Sequence, residues 1–149
     1  MFQVNNANPL LKADGKPFRI QKTSADGRPI MTMVDGKPEI ESQDGTYADI
    51  LTLFLNNLFN LVAAKSRESK EIKAMTMEDS TNATDIFRAI HVAEGLIELE
   101  KAPYEWLKHQ MTTWAVELFG VNAAVVLEPL KMALQSDMTR AEKRRQEGG

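Results

Sequence analysis

His91 and His109 are the only imidazoles in a chain of 149 residues that contains no cysteine. A metal or acid–base role would need them to converge with carboxylates, for which Glu94 and Glu105 lie one helical turn away on the same stretches. No four-cysteine or cysteine–histidine zinc site can be built from this inventory. A histidine that faces solvent or packs between helices is the plainer reading of both. Ser80, Asp85 and His91 supply the residue types of a nucleophile set, but neighbours along one helix face offer no oxyanion hole. Glu98 and Glu100 flank Leu99 on one side of a short extended run, and Glu78 precedes Asp79. Such pairs can hold Mg²⁺ or divide acid and base work. No phosphate loop or complementary base accompanies them, so an exposed acidic edge is the better account. Gly-rich phosphate cradles, the Walker pattern and the GxSxG elbow are also missing. The expectation is a protein without catalytic residues, metal, cofactor or small-molecule substrate.

The elements that would have to position any such groups follow from composition and period. The chain is 43% hydrophobic and 26% charged, with net charge −3 and pI near 5.5. Those values fit one globular structural domain and exclude wholesale disorder or a disulfide scaffold. The charge is unevenly spread. Six basic and six acidic residues cancel up to Gly45, five face nine from Thr46 to Glu100, and seven face six thereafter. A mildly acidic total speaks against nucleic acid as the main partner. The exception is the C-terminal cluster Arg140, Lys143, Arg144 and Arg145, which is a possible phosphate contact although Glu142 and Glu147 dilute it. A solvated helix end explains the same cluster. The start, Met-Phe-Gln-Val-Asn-Asn-Ala-Asn-Pro, has no secretory signal pattern. Ile50 to Ala64, the most apolar run, falls short of a bilayer span and is interrupted by Asn56, Asn57 and Asn60. These features predict a cytoplasmic protein with no membrane partner.

Residues 1–45 are expected to form a β-hairpin region. Asp-Gly pairs at Asp14, Asp26 and Asp35 are each followed by a basic residue and proline, and a fourth pair stands at Asp44. Asp-Gly favours tight turns, and the runs Phe18 to Lys22, Pro29 to Val34 and Pro38 to Glu41 between them alternate as half-buried strands do. They predict a small antiparallel meander. From Thr46 the period becomes helical, with Thr46 as cap and Asp49 near the positive end. Leu51, Phe54, Leu55, Leu58, Leu61 and Val62 make one broad apolar face, opposed by Asp49, Thr52, Asn56 and Asn60. Lys65 to Lys73 reads as a linker or frayed end. A second helix runs through Ala83, Ile86, Phe87 and Ile90 towards Gly95, a short extended segment follows at Leu96 to Glu100, and Pro103 opens a third helix carrying Trp106, Met111 and Trp114. Asn122 can cap a last helix, which Pro129 should kink or split. The fold class is therefore α+β, an N-terminal β-meander followed by a bundle of about four helices over 46–138, with a polar tail at 139–149.

The sequence of elements, with Tyr47-Ala48-Asp49-Ile50-Leu51 opening the apolar helix, Ile97-Glu98-Leu99 as the short segment and Phe119-Gly120-Val121-Asn122-Ala123-Ala124 entering the last helix, resembles small uncharacterised accessory proteins of tailed bacteriophages. The resemblance spans roughly residues 46 to 130 and departs from the pattern at Pro103 and Pro129. It implies a phage origin and little chemistry. Eight methionines add surfaces that can repack on a partner. The functional expectation is a non-catalytic protein that binds other proteins through leftover apolar faces around Phe54, Leu58, Phe59, Trp106 and Trp114. The partner would be another copy of itself, as a homo-oligomer, or a host or phage protein, with inhibition of a host defence or host machine as the outcome. The alternatives are a structural or assembly component of the virion or tail, whose hairpins pack between neighbouring subunits, and a nucleic-acid-associated replication accessory.

Overall fold

Thr46 and Thr76 each close a capping box, in which the threonine side chain accepts from the backbone N–H three residues on and an aspartate at that position accepts from the threonine N–H. These two boxes, on Asp49 and Asp79, fix where the first two helices begin. A computed structural model describes residues 1–135. Its elements run β1 (Phe2–Asn5), β2 (Arg19–Gln21), β3 (Met31–Val34), β4 (Lys37–Ile40), β5 (Ser42–Asp44), α1 (Tyr47–Glu68), α2 (Met77–His91), β6 (Leu96–Leu99), α3 (Lys101–Phe119), α4 (Ala123–Lys131) and β7 (Leu134–Gln135). The architecture is mixed α+β, with strands first and helices after. A single 3-10 turn at Gly120–Asn122, where Gly120 takes φ 56°, folds the Lys101–Lys131 run so that α4 lies back along α3 and the Tyr104 hydroxyl reaches the Leu130 carbonyl; the helical body amounts to three long helices, α1, α2 and α3, with the short α4 returning on the last, where the sequence predicts about four. By length and composition alone, α1 and that run could cross a membrane; in the fold the apolar face of α1 is taken up by the core.

That core sits where α1, α2 and α3 meet one three-stranded sheet. Ile50, Leu51, Phe54 and Leu58 of α1, Ile86 of α2, Leu107 and Met111 of α3 and Val126 and Leu130 of α4 have no exposed surface. The sheet has the order β6-β1-β7, all antiparallel, with Val4 opposite Ile97 and Phe2 opposite Leu99. Val4, Ile97 and Leu99 turn inward and are buried, while Asn5 and Leu96 on the other face stay exposed. The N-terminal strand is thus part of the helical body rather than of the hairpin region.

Three buried polar side chains tie the body together. Asn6 accepts from the N–H of Ala48 at 2.7 Å and donates to the carbonyl of Glu94 at 2.9 Å, joining the end of β1, the first turn of α1 and the loop before β6. It satisfies a free helix-terminal N–H that Thr46 cannot reach. The Tyr47 hydroxyl donates to the carbonyl of Val126 at 2.6 Å, and that of Tyr104 donates to the carbonyl of Leu130. Burial pushes both phenols above their ordinary value, Tyr47 more strongly, with the proximity of Tyr104 adding to its shift and that of Glu105 to the shift of Tyr104.

Two local expectations are corrected. Asn122 makes no side-chain cap on α4; its Oδ1 accepts instead from the N–H of Ala13 at 2.9 Å. Pro129 lies in the last turn of a nine-residue helix, where α4 ends two residues later. Its missing N–H therefore costs one late hydrogen bond and not a mid-helix break.

Residues 10–45 do not form a meander. β2 pairs with β5, Arg19 opposite Asp44, and β3 pairs with β4 in between, Met31 opposite Ile40, so the pairings are nested. Arg19 pairs with the Asp44 carboxylate and donates to the Ser42 carbonyl at 2.8 Å, which clamps the base of this ladder. Two small hairpin loops branch from it, closed by bridges between Leu11 and Pro17 and between Thr23 and Pro29. In the first, Lys12 N–H reaches the Lys16 carbonyl and Gly15 N–H the Lys12 carbonyl; in the second, Ser24 reaches Arg28 and Gly27 reaches Ser24. The bonding is the same at an offset of twelve residues. Gly15 and Gly27 take φ of 84° and 83°, the left-handed residue that closes a three-residue hairpin loop. Asp35 and Gly36, at φ 51° and 77°, form the two-residue turn between β3 and β4, and Asp44 is not in a turn.

Candidate interaction surface

The two loops branch at two matching nodes. At the first, Phe18 N–H donates to the Leu10 carbonyl, Leu10 N–H to the Gly45 carbonyl and Gly45 N–H to the Phe18 carbonyl, at 3.2, 3.3 and 2.8 Å. At the second, Ile30, Lys22 and Glu41 repeat that ring at 3.0, 2.9 and 2.8 Å. Each node satisfies three amides at a point where a simple ladder would leave them open. From Gly45 through Glu41 to Lys37 the outer strand takes eight steps, an arm about 27 Å long at the usual rise per residue.

The root of the arm is fixed to the body. Phe119 stacks on Phe54 of α1 with ring centroids 6.2 Å apart, and Phe18 meets Phe119 edge-on at 6.4 Å. Gly45 is buried, and a Cβ there would stand 2.7 Å from Cγ1 of Ile20, so the root has no room for a larger residue. Beyond the second node the arm has no such support. All eight residues of β3 and β4 are exposed. Met31 and Met33 share one face with their cross-strand partners Ile40 and Pro38, and Met33 keeps 67% of its surface open. A two-stranded hairpin with an apolar face is marginal in water unless something covers it.

The apolar residues that the sequence marks as an interface divide into two groups. Phe54 and Leu58 have no exposed surface and belong to the core, because α2 and α3 pack against α1 and Phe119 stacks on Phe54. Phe59, Trp106 and Trp114 are half-buried at the edge of that core. Phe59 and Trp106 lie 6.5 Å apart, and the indole N–H of Trp106 donates to Asp79 at 2.9 Å. Burial raises the Asp79 carboxyl, but the Thr76 N–H, the Trp106 indole and the Thr76 hydroxyl together outweigh it and hold it below the ordinary carboxylate range. Arg140, Lys143, Arg144 and Arg145 lie outside the described residues.

The residues first weighed for chemistry stay apart. His91 ends α2 and His109 stands mid-way along α3, both exposed. Ser80 and His91 are eleven residues apart on one helix, about 16 Å along its axis. Asp79 is committed to its cap and to Trp106, and Glu100 precedes α3 without capping it. The described residues contain no group of three or more His, Asp or Glu side chains placed to hold a metal.

A cleft with a volume of about 530 Å³ lies on the outer face of the three-stranded sheet, beside the root of the arm. Leu10, Leu11, Leu96, Pro129, Met132 and Leu134 line it, with Gln3 and Asn5 of β1 as its polar floor. Sequence reasoning assigned none of these residues to a site, because they come from four separate segments. It also missed the nodes, although Ala-Asp-Gly-Lys-Pro-Phe and Ala-Asp-Gly-Arg-Pro-Ile, twelve residues apart, carry the signal of two equivalent loops. Comparison with protein-family models, curated proteins and solved structures gives no match to this chain.

Proposed function

We propose that this chain is a non-catalytic protein-interaction protein whose binding element is the projecting β arm. The helices serve as a bundle that holds the arm's root. The observation that carries the reading is the exposure of every residue of β3 and β4, with Met31, Met33, Val34 and Ile40 among them. An apolar segment anchored at its root on a packed body has less freedom to lose on association than an unattached one. Phe59, Trp106 and Trp114 form a second, less exposed contact region at the helix edge.

The phage resemblance sets the context as a protein of the infected cell's cytoplasm that acts on a host defence or host machine. The nested hairpins favour a second reading, a structural or assembly component whose arm packs between neighbouring subunits. Affinity capture from infected bacteria, with the wild-type chain and with a Met31→Glu, Met33→Glu double variant, tests the proposal. The wild type should retain a stoichiometric partner that the variant loses while keeping its circular dichroism. Equal capture by both would overturn the arm's role, and purified particles probed for the chain separate the virion reading from the cytoplasmic one.

A further inference from the structure

Four Asp-Gly dipeptides stand in the first 45 residues, at Asp14, Asp26, Asp35 and Asp44. The pair carries a latent reaction of its own. The backbone nitrogen after an aspartate can attack the Cγ of the side-chain carboxyl, and glycine, with no Cβ, hinders that approach least. A C–N bond forms, a carboxyl C–O bond breaks, and the oxygen leaves as water with the amide proton and the carboxyl proton. The product is a five-membered succinimide. A second water opens the ring at either carbonyl, and opening at the former backbone carbonyl leaves isoaspartate, in which the chain runs through Cβ and Cγ. No oxidant or cofactor enters, and the final mass is that of the starting chain.

The fold gives the four sites unequal freedom to react, because ring closure needs the glycine nitrogen released and the carboxyl unpaired and protonated. At Asp44 neither holds: its carboxylate pairs with Arg19, and the Gly45 N–H donates to the Phe18 carbonyl at 2.8 Å inside the buried root. At Asp26 the Gly27 N–H donates to the Ser24 carbonyl at 2.9 Å. The Ser24 hydroxyl and the Arg28 N–H donate to the Asp26 carboxylate and hold it below its ordinary range, which depletes the protonated form. At Asp14 the Gly15 N–H donates to the Lys12 carbonyl and the carboxylate accepts from the Lys16 N–H, both at 2.9 Å. Asp35 differs on every count. Among the described residues neither its carboxylate nor the Gly36 N–H has a hydrogen-bond or ion-pair partner, and both residues are exposed. Asp35 also takes φ 51°, the one positive φ of a non-glycine residue among those described, a region that costs an L side chain. It stands at the tip of a hairpin whose strands are exposed throughout, where local opening is easiest.

We propose that Asp35 is the site at which the native chain forms isoaspartate, and that the change takes β3 and β4 out of register. The two-residue Asp35-Gly36 turn sets Val34 opposite Lys37. Isoaspartate lengthens the turn backbone by one carbon, so the turn no longer matches the ladder it closes. This modification holds whether or not the arm binds a partner. Taken with the reading of the arm as the binding element, it makes binding capacity decline as the chain ages.

All four positions can be followed in one sample. The wild-type chain is held in near-neutral buffer at physiological temperature, native and in urea, and sampled over weeks. Isoaspartate is counted with an isoaspartate-specific methyltransferase and a labelled methyl donor, and placed by peptide mapping with electron-transfer fragmentation. In the native chain position 35 should lead 14 and 26 several-fold, with 44 last. In urea that lead should vanish, because every site is then an open Asp-Gly and the β-branched Val34 gives position 35 no advantage. Asp35→Glu, whose longer side chain would have to close a less favourable six-membered ring, should lose the native signal at 35 and leave 14 and 26 unchanged. Amide exchange in β3 and β4 should accelerate in the aged wild type and not in aged Asp35→Glu. Comparable native rates at 14, 26 and 35, or faster conversion at 44, would overturn the assignment. So would a lead of position 35 that persists unchanged in urea, since the order would then belong to the sequence and not to the fold. No isoaspartate at 35 in native protein, over a period that converts it in urea, would overturn it as well. Isoaspartate at 35 with unaltered exchange in β3 and β4 would overturn the loss of register.

Discussion

Phe119 joins three parts of the molecule, and its removal is expected to separate the arm from the body. Its ring lies against Phe54 of α1 and receives the edge of Phe18 at the arm's root. Full burial of a phenylalanine makes its replacement by alanine cost about 3–5 kcal/mol. Phe119 is half-buried, which reduces that figure, but two aromatic pairs are lost at about 0.5–1.5 kcal/mol each beyond area. A loss of about 2–4 kcal/mol follows for Phe119→Ala, and at roughly 2–4 °C per kcal/mol the melting temperature should fall by about 5–15 °C. Urea denaturation measures the loss, and a double-mutant cycle with Phe18→Ala isolates the coupling. That cycle should give about 0.5–1.5 kcal/mol of interaction between the two positions. Amide exchange at Arg19–Gln21 should accelerate in the variant more than exchange within α2. A coupling within a few tenths of a kcal/mol of zero, or equal acceleration at both places, would refute the argument that this ring fixes the arm.

Three further outcomes follow from the hydrogen-bonded polar groups. Tyr47 and Tyr104 are the two tyrosines of the chain, and burial raises both; the native state then holds protons that the unfolded state releases above about pH 10. Their contribution to stability is full below that pH and is lost as pH rises, so tyrosinate absorbance should appear together with unfolding and not before it; a reversible phenol titration near pH 10 in folded protein would contradict this. Asn6→Ala should cost about 2–4 kcal/mol in chemical denaturation, since it strands the Ala48 N–H and the Glu94 carbonyl, and a shift under about 1 kcal/mol would mean that neither bond matters. Asp79 has a depressed carboxyl, so its contribution is present above about pH 4 and lost as pH falls through the lower native value; Trp106 fluorescence should change in that acid window in the wild type and not in Asp79→Asn.

The helices were legible because their signals are local. Thr46 with Asp49 places the start of α1, and the apolar spacing from Leu51 to Val62 marks the face that is buried. The same spacing cannot tell a core face from an interface face, which is why Phe54 and Leu58 read as contacts and prove to be interior. Partner choice among strands is a long-range matter. β1 finds β6 more than ninety residues away, and nothing in Phe2-Gln-Val-Asn announces it. Alternation from Phe18 to Glu41 shows that strands exist, but nested and sequential pairings share one alternation. Only the repeated Ala-Asp-Gly-basic-Pro-apolar unit distinguishes them, and its meaning depends on Leu10 and Gly45 meeting across thirty-five residues. The cleft is the extreme case, assembled from segments that have no relation in sequence.

Amide hydrogen exchange of the wild-type chain, compared between dilute and concentrated solution with and without captured partner, tests the arm's role most directly. The account predicts near-unprotected exchange at Thr32, Val34 and Glu39 when the arm is free, and strong protection there, with little change in α1 and α2, once it is bound. Equal protection of β3 and β4 in every state, or protection gained only along α1 and α3 around Phe59 and Trp106, would contradict it.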